Sequence, residues 1–245
     1  DCDIDRYDLM EPPCRQLFVW DPDAKLILGG YRFITGKDIA MMPDGTPRIA
    51  TAHMFRFSDS FINEYLPLTI ELGRSFVRLE YQSSKAGAKA LYALDNLWDG
   101  LGALTVVHPE IKYLFGKVTM YPGYNKQCRN MILYFMNKHF SDPDRLVRPI
   151  HPLDTETDLQ SMRDIFTGAD YLDDYKILNK AIRANGINIP PLVNAYMSLS
   201  PTMRVFGTAI NDEFGDVEET GIFLAISEIL EEKKQRHIGT FHPRH

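Results

Sequence analysis

Residues Ile70 to Leu91, IELGRSFVRLEYQSSKAGAKAL, change hydrophobic period within a few positions, and that change narrows the folds open to the chain. Ile70, Leu72, Phe76, Val77 and Leu79 predict a half-buried strand, with Gly73 marking a bulge or a close backbone approach. After Gln82 the residues turn small: Ser83, Ser84, Ala86, Gly87 and Ala88, with Lys85 and Lys89 among them. Leu91, Leu94, Leu97, Trp98, Leu101 and Leu104 then recur at helical spacing and define one buried face. A strand (KYLFGKVTM), a Pro122-Gly123 turn and a helix (NKQCRNMILYFMNKHF) follow. Strand, loop, helix, strand in that order calls for a parallel crossover covered by helices, an α/β arrangement.

The flanks extend this unit. RQLFVWD and KLILGGYRFIT, joined at Pro22-Asp23, read as a hairpin. Residues 36 to 47 read as loop, and SDSFINEYLPL as a short helix capped by Ser58 or Asp59. The Pro- and Asp-rich stretch from Ser141 to Pro152 opens a helical excursion, residues 142–200, made of TDLQSMRDIF, DYKILNKAIRANG and PPLVNAYMSL. RVFGTAINDEF and TGIFLAI read as a closing strand pair. The expectation is a mixed central sheet flanked by helices in one domain over residues 1–235, with 236–245 as a tail. A chain of 245 residues can bury a core of that size without metal or disulfide staples.

Charge is distributed unevenly. Leu72 to Arg148 holds eleven Lys/Arg and six Asp/Glu, a local +5; the whole chain is −6, so the remainder carries −11. An acidic chain argues against a general nucleic-acid binder, while the basic middle suits an anionic ligand or partner, or is simply a solvated face. Cys2, Cys14 and Cys128 form no metal-ligand spacing and fit a reducing compartment. No apolar run reaches the roughly 20 residues that a membrane-spanning helix needs. The expected location is cytoplasmic, with peripheral contact to the inner membrane left open.

Small residues between a strand and a helix let backbone N–H groups and the helix N-terminus face a phosphate, with Lys85 and Lys89 as counter-charge. A tight turn into a helix uses the same residues. The segment Gln82-Ser83-Ser84-Lys85-Ala86-Gly87 resembles the pyrophosphate loop of the Gcn5-related N-acetyltransferases, with Lys85 standing where the first Gly of that loop falls. In chain order, DRYD (Asp5, Asp8), GGYRFI (Arg32) and ELGR (Glu71, Arg74) are similar to the charged set of the acyl-homoserine lactone synthases. The wider pattern VWD, GGYRF, ELGRSFV, EYQ, LWDGL, YLFGKVTM is similar to the ornithine- and glycine-lipid N-acyltransferases, often labelled putative hemolysins.

That resemblance implies a Gcn5-related acyltransferase fold and transfer of a fatty acyl group, 3-hydroxylated in the related enzymes, from acyl carrier protein to the amino group of glycine or ornithine. It implies catalytic roles for Glu71, Arg74, Arg32 and Asp8. Residues Gln82, Ser83, Ser84, Lys85, Ala86, Gly87 and Ala88 would seat the phosphopantetheine arm of acyl carrier protein or coenzyme A, with no permanently bound cofactor and no metal. Glu71 is the expected base, because an amine must lose a proton before it attacks a thioester. In a regular strand Glu71 and Arg74 point to opposite faces, whereas a bulge at Gly73 brings them together. Each Arg has two candidate jobs, forking the amino acid's carboxylate or fixing the carboxylates of the site. Amides near the end of the Val77–Tyr81 segment are expected to meet the oxyanion, and Tyr121 or Tyr124 to supply the thiolate's proton. Leu94, Trp98, Leu101, Phe115 and Met120 are either core or the wall of an acyl tunnel. Lys85, Lys89, Lys112, Lys117, Lys126 and Arg129 are the expected carrier-protein surface. The alternatives are a lactone-signal synthase using S-adenosylmethionine, and a non-catalytic module that binds a carrier protein or a membrane.

Overall fold

A computed structural model describes residues 5–81, 88–239 and 241, with 88–94 described by backbone alone. In chain order the strands are β1 (Arg15–Asp21), β2 (Leu26–Thr35), β3 (Phe55–Phe57), β4 (Thr69–Val77), β5 (Tyr113–Met120), β6 (Val147–Pro149), β7 (Arg204–Asn211) and β8 (Val217–Ala225). The α-helices are α1 (Ala88–Val107), α2 (Lys126–His139), α3 (Leu159–Ile165), α4 (Tyr171–Ala184), α5 (Pro191–Met197) and α6 (Glu231–His237). Six strands form a mixed sheet in the order β1-β2-β4-β5-β8-β7, and β3 pairs with β6 in a separate two-stranded sheet. The chain gathers into two compact units: Asp1–Ala52, Asp59–Gly116 and Ala225–His245 form the first; His53–Ser58 and Lys117–Leu224 form the second.

In the first unit the hairpin and the crossover stand where the hydrophobic periods place them. β1 pairs antiparallel with β2, β2 antiparallel with β4, and β4 parallel with β5 through Thr69–Tyr113, Ile70–Leu114 and Glu71–Phe115. Helix α1 covers one sheet face, with Leu97 against Gly29 and Gly100 against Leu17. Ile70, Leu97, Leu101 and Phe115 are fully buried beneath it and around it, and Phe61 packs edge-on against Phe115 with ring centroids 5.6 Å apart. Residues Arg236 and His237, expected at the tail, are held on α1: Arg236 pairs with Asp95, and His237 Nδ1 lies 2.7 Å from Asp99 Oδ1. Gly102 permits that approach, since a Cβ there would stand 2.0 Å from the His237 carbonyl oxygen.

Two local expectations are refined. SDSFINEYLPL is helical from residue 59 to 68 as expected, but after its first two residues it winds as a π-turn, Phe61–Tyr65, and then a 3-10 turn, Leu66–Leu68. Pro67, lacking an amide hydrogen, keeps the segment from continuing as a regular helix. The strand from Ile70 ends at Val77 rather than running to Tyr81, because Leu79–Tyr81 closes into a 3-10 turn.

In the second unit α2 begins at Asn125, whose side chain accepts from the Cys128 amide, and buries Ile132, Phe135 and Met136. Asp170 caps α4 by accepting from the Asp173 amide, and Gly186 at φ +72° follows its C-terminus, as the ANG stretch predicts. β7 and β8 form the expected closing antiparallel pair. Strands β3 and β6, three residues each, pair with one another and are too short to show a period in the sequence.

Candidate active site

Strand register decides which side chains can meet. In an antiparallel pair, opposed residues point to the same face. Arg32 opposes Gln16 on β1 and Gly73 on β4, and Ile34 opposes Glu71, so Gln16, Arg32 and Glu71 share the sheet face away from α1. Between Arg32 and Gly30 the register slips: β4 advances from Gly73 to Phe76 while β2 advances by two residues. Arg74 occupies this bulge at φ +47°, a conformation that a non-glycine residue adopts only at some cost. The bulge anticipated at Gly73 is therefore present, with the strained geometry one residue further on.

The guanidinium groups of Arg32 and Arg74 converge on the turn from Asp5 to Asp8. Arg32 Nη1 stands 2.6 Å from Asp5 Oδ2 and 3.5 Å from Asp8 Oδ1; Arg74 Nη1 stands 3.0 Å from Asp5 Oδ2 and 3.6 Å from Asp8 Oδ2. Asp5 Oδ1 accepts from the amides of Tyr7 at 2.8 Å and Asp8 at 3.2 Å, and Gln16 Nε2 donates to Asp8 Oδ1 at 3.3 Å. The Arg32 guanidinium also lies over the Tyr7 ring, 5.5 Å from its centroid. Partial burial disfavours the Asp5 charge, but the hydrogen bond and charge of Arg32, the Tyr7 amide and Arg74 outweigh it and hold the carboxyl below its ordinary value. Burial likewise opposes the Arg32 charge, and Asp5 with Glu71 more than restores it.

Glu71 is 2% exposed at the last rung of the β4–β5 ladder. Its charge reaches Arg32 and also Cys14, whose thiol is pushed up to about 12 by burial first and then by Glu71, Asp8 and Asp5. Of the residues expected at the site, Asp8, Arg32 and Arg74 are in one network, with Glu71 on the same sheet face as Arg32. Sequence reasoning placed Asp8 in that network and missed that Asp5 is its hub. The D-x-x-D spacing held the signal, because a short turn brings both carboxylates together; nothing local marked Tyr7, Cys14 or Gln16.

Residues Gln82, Ser83, Ser84, Lys85, Ala86 and Gly87 lie outside the described residues, as does the Ala88 side chain; Ala88 is the first residue of α1. The expected oxyanion donors are corrected in part: the Arg78 amide donates to the Leu28 carbonyl and the Tyr81 amide to the Arg78 carbonyl, each at 2.9 Å. The Tyr124 hydroxyl donates to the Asn188 carbonyl at 2.9 Å, and burial with the nearby Cys128 pushes it up to about 12; Tyr121 is exposed. Leu101, Phe115 and Met120 are core residues. Among the expected docking cations, Lys117 is paired with Glu219 and Arg129 with Glu218, which withdraws both; Lys112 and Lys126 are exposed. Among the described residues, no helix is long and apolar enough to cross a membrane.

Comparison with known proteins bears on the same residues. The acetyltransferase (GNAT) domain profile matches residues 1–92, which span Asp5 through Arg74. The chain is similar to the glycine N(alpha)-acyltransferase of Phocaeicola vulgatus, 62% identical over 99% of this chain and 74% of that protein. It is also similar to the glycine N(alpha)-acyltransferase of Bacteroides thetaiotaomicron, 64% identical over 99% of this chain and 72% of that protein. No solved structure matches.

Proposed function

We propose that the chain, which belongs to the GNAT acyltransferase family in the branch of these glycine N(alpha)-acyltransferases, moves a 3-hydroxylated fatty acyl group from a phosphopantetheine thioester to the amino group of glycine. The observation that carries the residue roles is the convergence of Arg32 and Arg74 on Asp5 beside a buried Glu71.

Free glycine is an ammonium at neutral pH and cannot attack. Glu71, buried on the sheet face that Arg32 shares, is the carboxylate placed to take a proton from the ammonium. The neutral nitrogen then attacks the thioester carbonyl. A C–N bond forms, the tetrahedral intermediate expels the pantetheine thiolate as the C–S bond breaks, the nitrogen sheds its second proton, and the thiolate is protonated. The products are N-acylglycine, a free thiol and one net proton.

Arg32, 3% exposed and held by both aspartates, is the fixing residue of the pair. Arg74, with a side chain 30% exposed, meets the carboxylate of glycine. The donor in this reading is acyl carrier protein, met through Lys85, Lys89 and Lys112, and the product is the lyso form of a glycine lipid. The acting location in this reading is the cytoplasm.

Incubating the protein with acyl carrier thioester, or acyl coenzyme A, and glycine, ornithine or S-adenosylmethionine tests the reading. N-acylglycine should form fastest and from the carrier thioester; a lactone product, or no thioester consumption, overturns it. Glu71→Gln should lower kcat by at least about a hundredfold, and a loss under about tenfold removes Glu71 as the base.

A further inference from the structure

We infer that the open face of β1, β2 and β4 is a binding surface for the hydrocarbon chain of the acyl group, an inference that rests on the acyl-transfer reading above. Phe18 opposes Gly30, which opposes Phe76, so the two rings flank a glycine on one face; Trp20, opposing Ile27, continues the row toward the hairpin turn. Phe18, Trp20 and Phe76 remain 54%, 49% and 50% exposed, and Ile27 is exposed as well. Scattered exposed apolar residues are ordinary, but four from three neighbouring strands on one patch are not. Gly30 makes room for the Phe76 ring to lie over the sheet, since a Cβ there would stand 2.9 Å from Phe76 Cε1 and 2.8 Å from the Leu17 carbonyl oxygen.

The occupant follows from what adjoins the patch. Gln16, Arg32 and Gly73 form the next row on the same face, and Gln16 reaches Asp8, so the apolar ground begins one side-chain step, about 7 Å, from the charged cluster. In the opposite direction the face closes at Ile34, 2% exposed. A thioester carbonyl seated near Glu71 sends its methylene tail along the open direction, over the exposed Phe76 ring and past Phe18 toward Trp20. A flat aromatic surface grips a flexible chain over its length without fixing where it ends.

The test compares palmitoyl and butyryl thioesters on the same carrier with glycine. In a Phe18→Ser/Phe76→Ser double variant, the kcat/KM ratio of long to short chain should fall at least about tenfold, and Phe18→Leu/Phe76→Leu should bring it back to within about twofold of wild type. An unchanged ratio in a folded serine variant overturns the inference. A second readout is independent of turnover. The chain has two tryptophans, so in a Trp98→Phe variant emission reports Trp20 alone. Monomeric N-palmitoylglycine should shift that emission to the blue and saturate. If wild type transfers no acyl group at all, the functional reading fails, and this titration alone decides the binding surface. No response to N-palmitoylglycine, or a response only to phosphatidylglycerol vesicles, overturns it in favour of a bilayer contact.

Discussion

Asp5 in the first unit and Asp174 in the second are built from the same parts. Each has its Oδ2 shared by two cationic or protonatable groups: Arg32 and Arg74 for Asp5, Lys138 at 2.6 Å and His139 at 2.8 Å for Asp174. In each, backbone amides take Oδ1, those of Tyr7 and Asp8 in one and that of Gly168 at 2.8 Å in the other. The surroundings differ. The Asp174 side chain is 0% exposed, and His139 beside it packs against the rings of Phe135 and Tyr171. The Asp5 side chain is 35% exposed, and one of its arginines sits in a strained bulge. A closed knot of this kind holds helices α2 and α4 together, whereas an open one keeps charged groups poised where a small polar ligand can reach them.

The sharpest way to break this contrast is to remove one charge from each knot and ask which property fails. Asp174→Asn leaves Lys138 and His139 beside a buried amide and should cost about 3 kcal/mol of stability in urea unfolding, with turnover per folded molecule unchanged. Burial opposes the Asp174 charge, but Lys138, His139 and the Gly168 amide hold its carboxyl below the ordinary 3.8. A carboxyl lowered on folding stabilises above its unfolded value and loses that contribution as pH falls through the folded one. Wild-type stability should therefore drop below about pH 4, and Asp174→Asn should flatten that acid limb. An equal loss of turnover in folded Asp174→Asn would erase the distinction.

Asp5→Asn is the converse. With its carboxylate a third exposed, the ion pairs contribute little net stability, and unfolding should change by no more than about 1 kcal/mol. Released from their hub, Arg32 and Arg74 lose register with Glu71, and kcat/KM should fall by about tenfold or more. A variant that unfolds easily yet turns over normally once folded would make Asp5 another structural knot.

Arg74 separates the two properties within one residue. Its positive φ costs roughly 1 kcal/mol for a side chain with a Cβ and nothing for glycine. Arg74→Gly should hold stability within about 1 kcal/mol of wild type, relief of strain offsetting the lost ion pair. KM for glycine should nonetheless rise by roughly tenfold, while KM for the thioester stays put. A variant clearly less stable with KM unchanged would mean that Arg74 serves the fold.

How much of this was legible in the sequence depends on length scale. The β1–β2 hairpin and the β4–α1–β5 crossover were readable because each spans enough residues to show its period. The three-residue strands β3 and β6 are too short to show a period, and the π-turn at Phe61 has the side-chain spacing of a short helix, so its hydrogen-bond pattern could not be read. At the site, D-x-x-D, Arg32 and E-L-G-R supplied the participants. The hub could not be read, since Asp5 and Asp8 differ only in how the turn presents them to Arg32. Gly73 drew attention to the bulge, yet the register put the left-handed residue at Arg74. Asp174 lies 36 positions from Lys138 and 35 from His139, so their cluster left no local mark.

The finest probe of the contrast uses a cysteine in each unit. Burial raises both thiols, but at Cys14 the charges of Glu71, Asp8 and Asp5 add to it, while at Cys128 burial is the only cause. With the thiol pushed up to about 12, Cys14 stays protonated at pH 8 and should alkylate slowly with iodoacetamide, because the thiolate is the reacting form. Glu71→Gln removes the second-largest cause at Cys14 and touches none at Cys128. Peptide mass spectrometry should then show Cys14 alkylating a few-fold faster, on the order of tenfold for each unit the thiol falls, with Cys128 unchanged. The direction follows from the sign of the charge: deleting a carboxylate near a thiol favours the thiolate. If Cys14 and Cys128 respond alike, the carboxylates are not gathered around Cys14 in solution, and the open cluster loses the electrostatic character that sets it apart from the closed one.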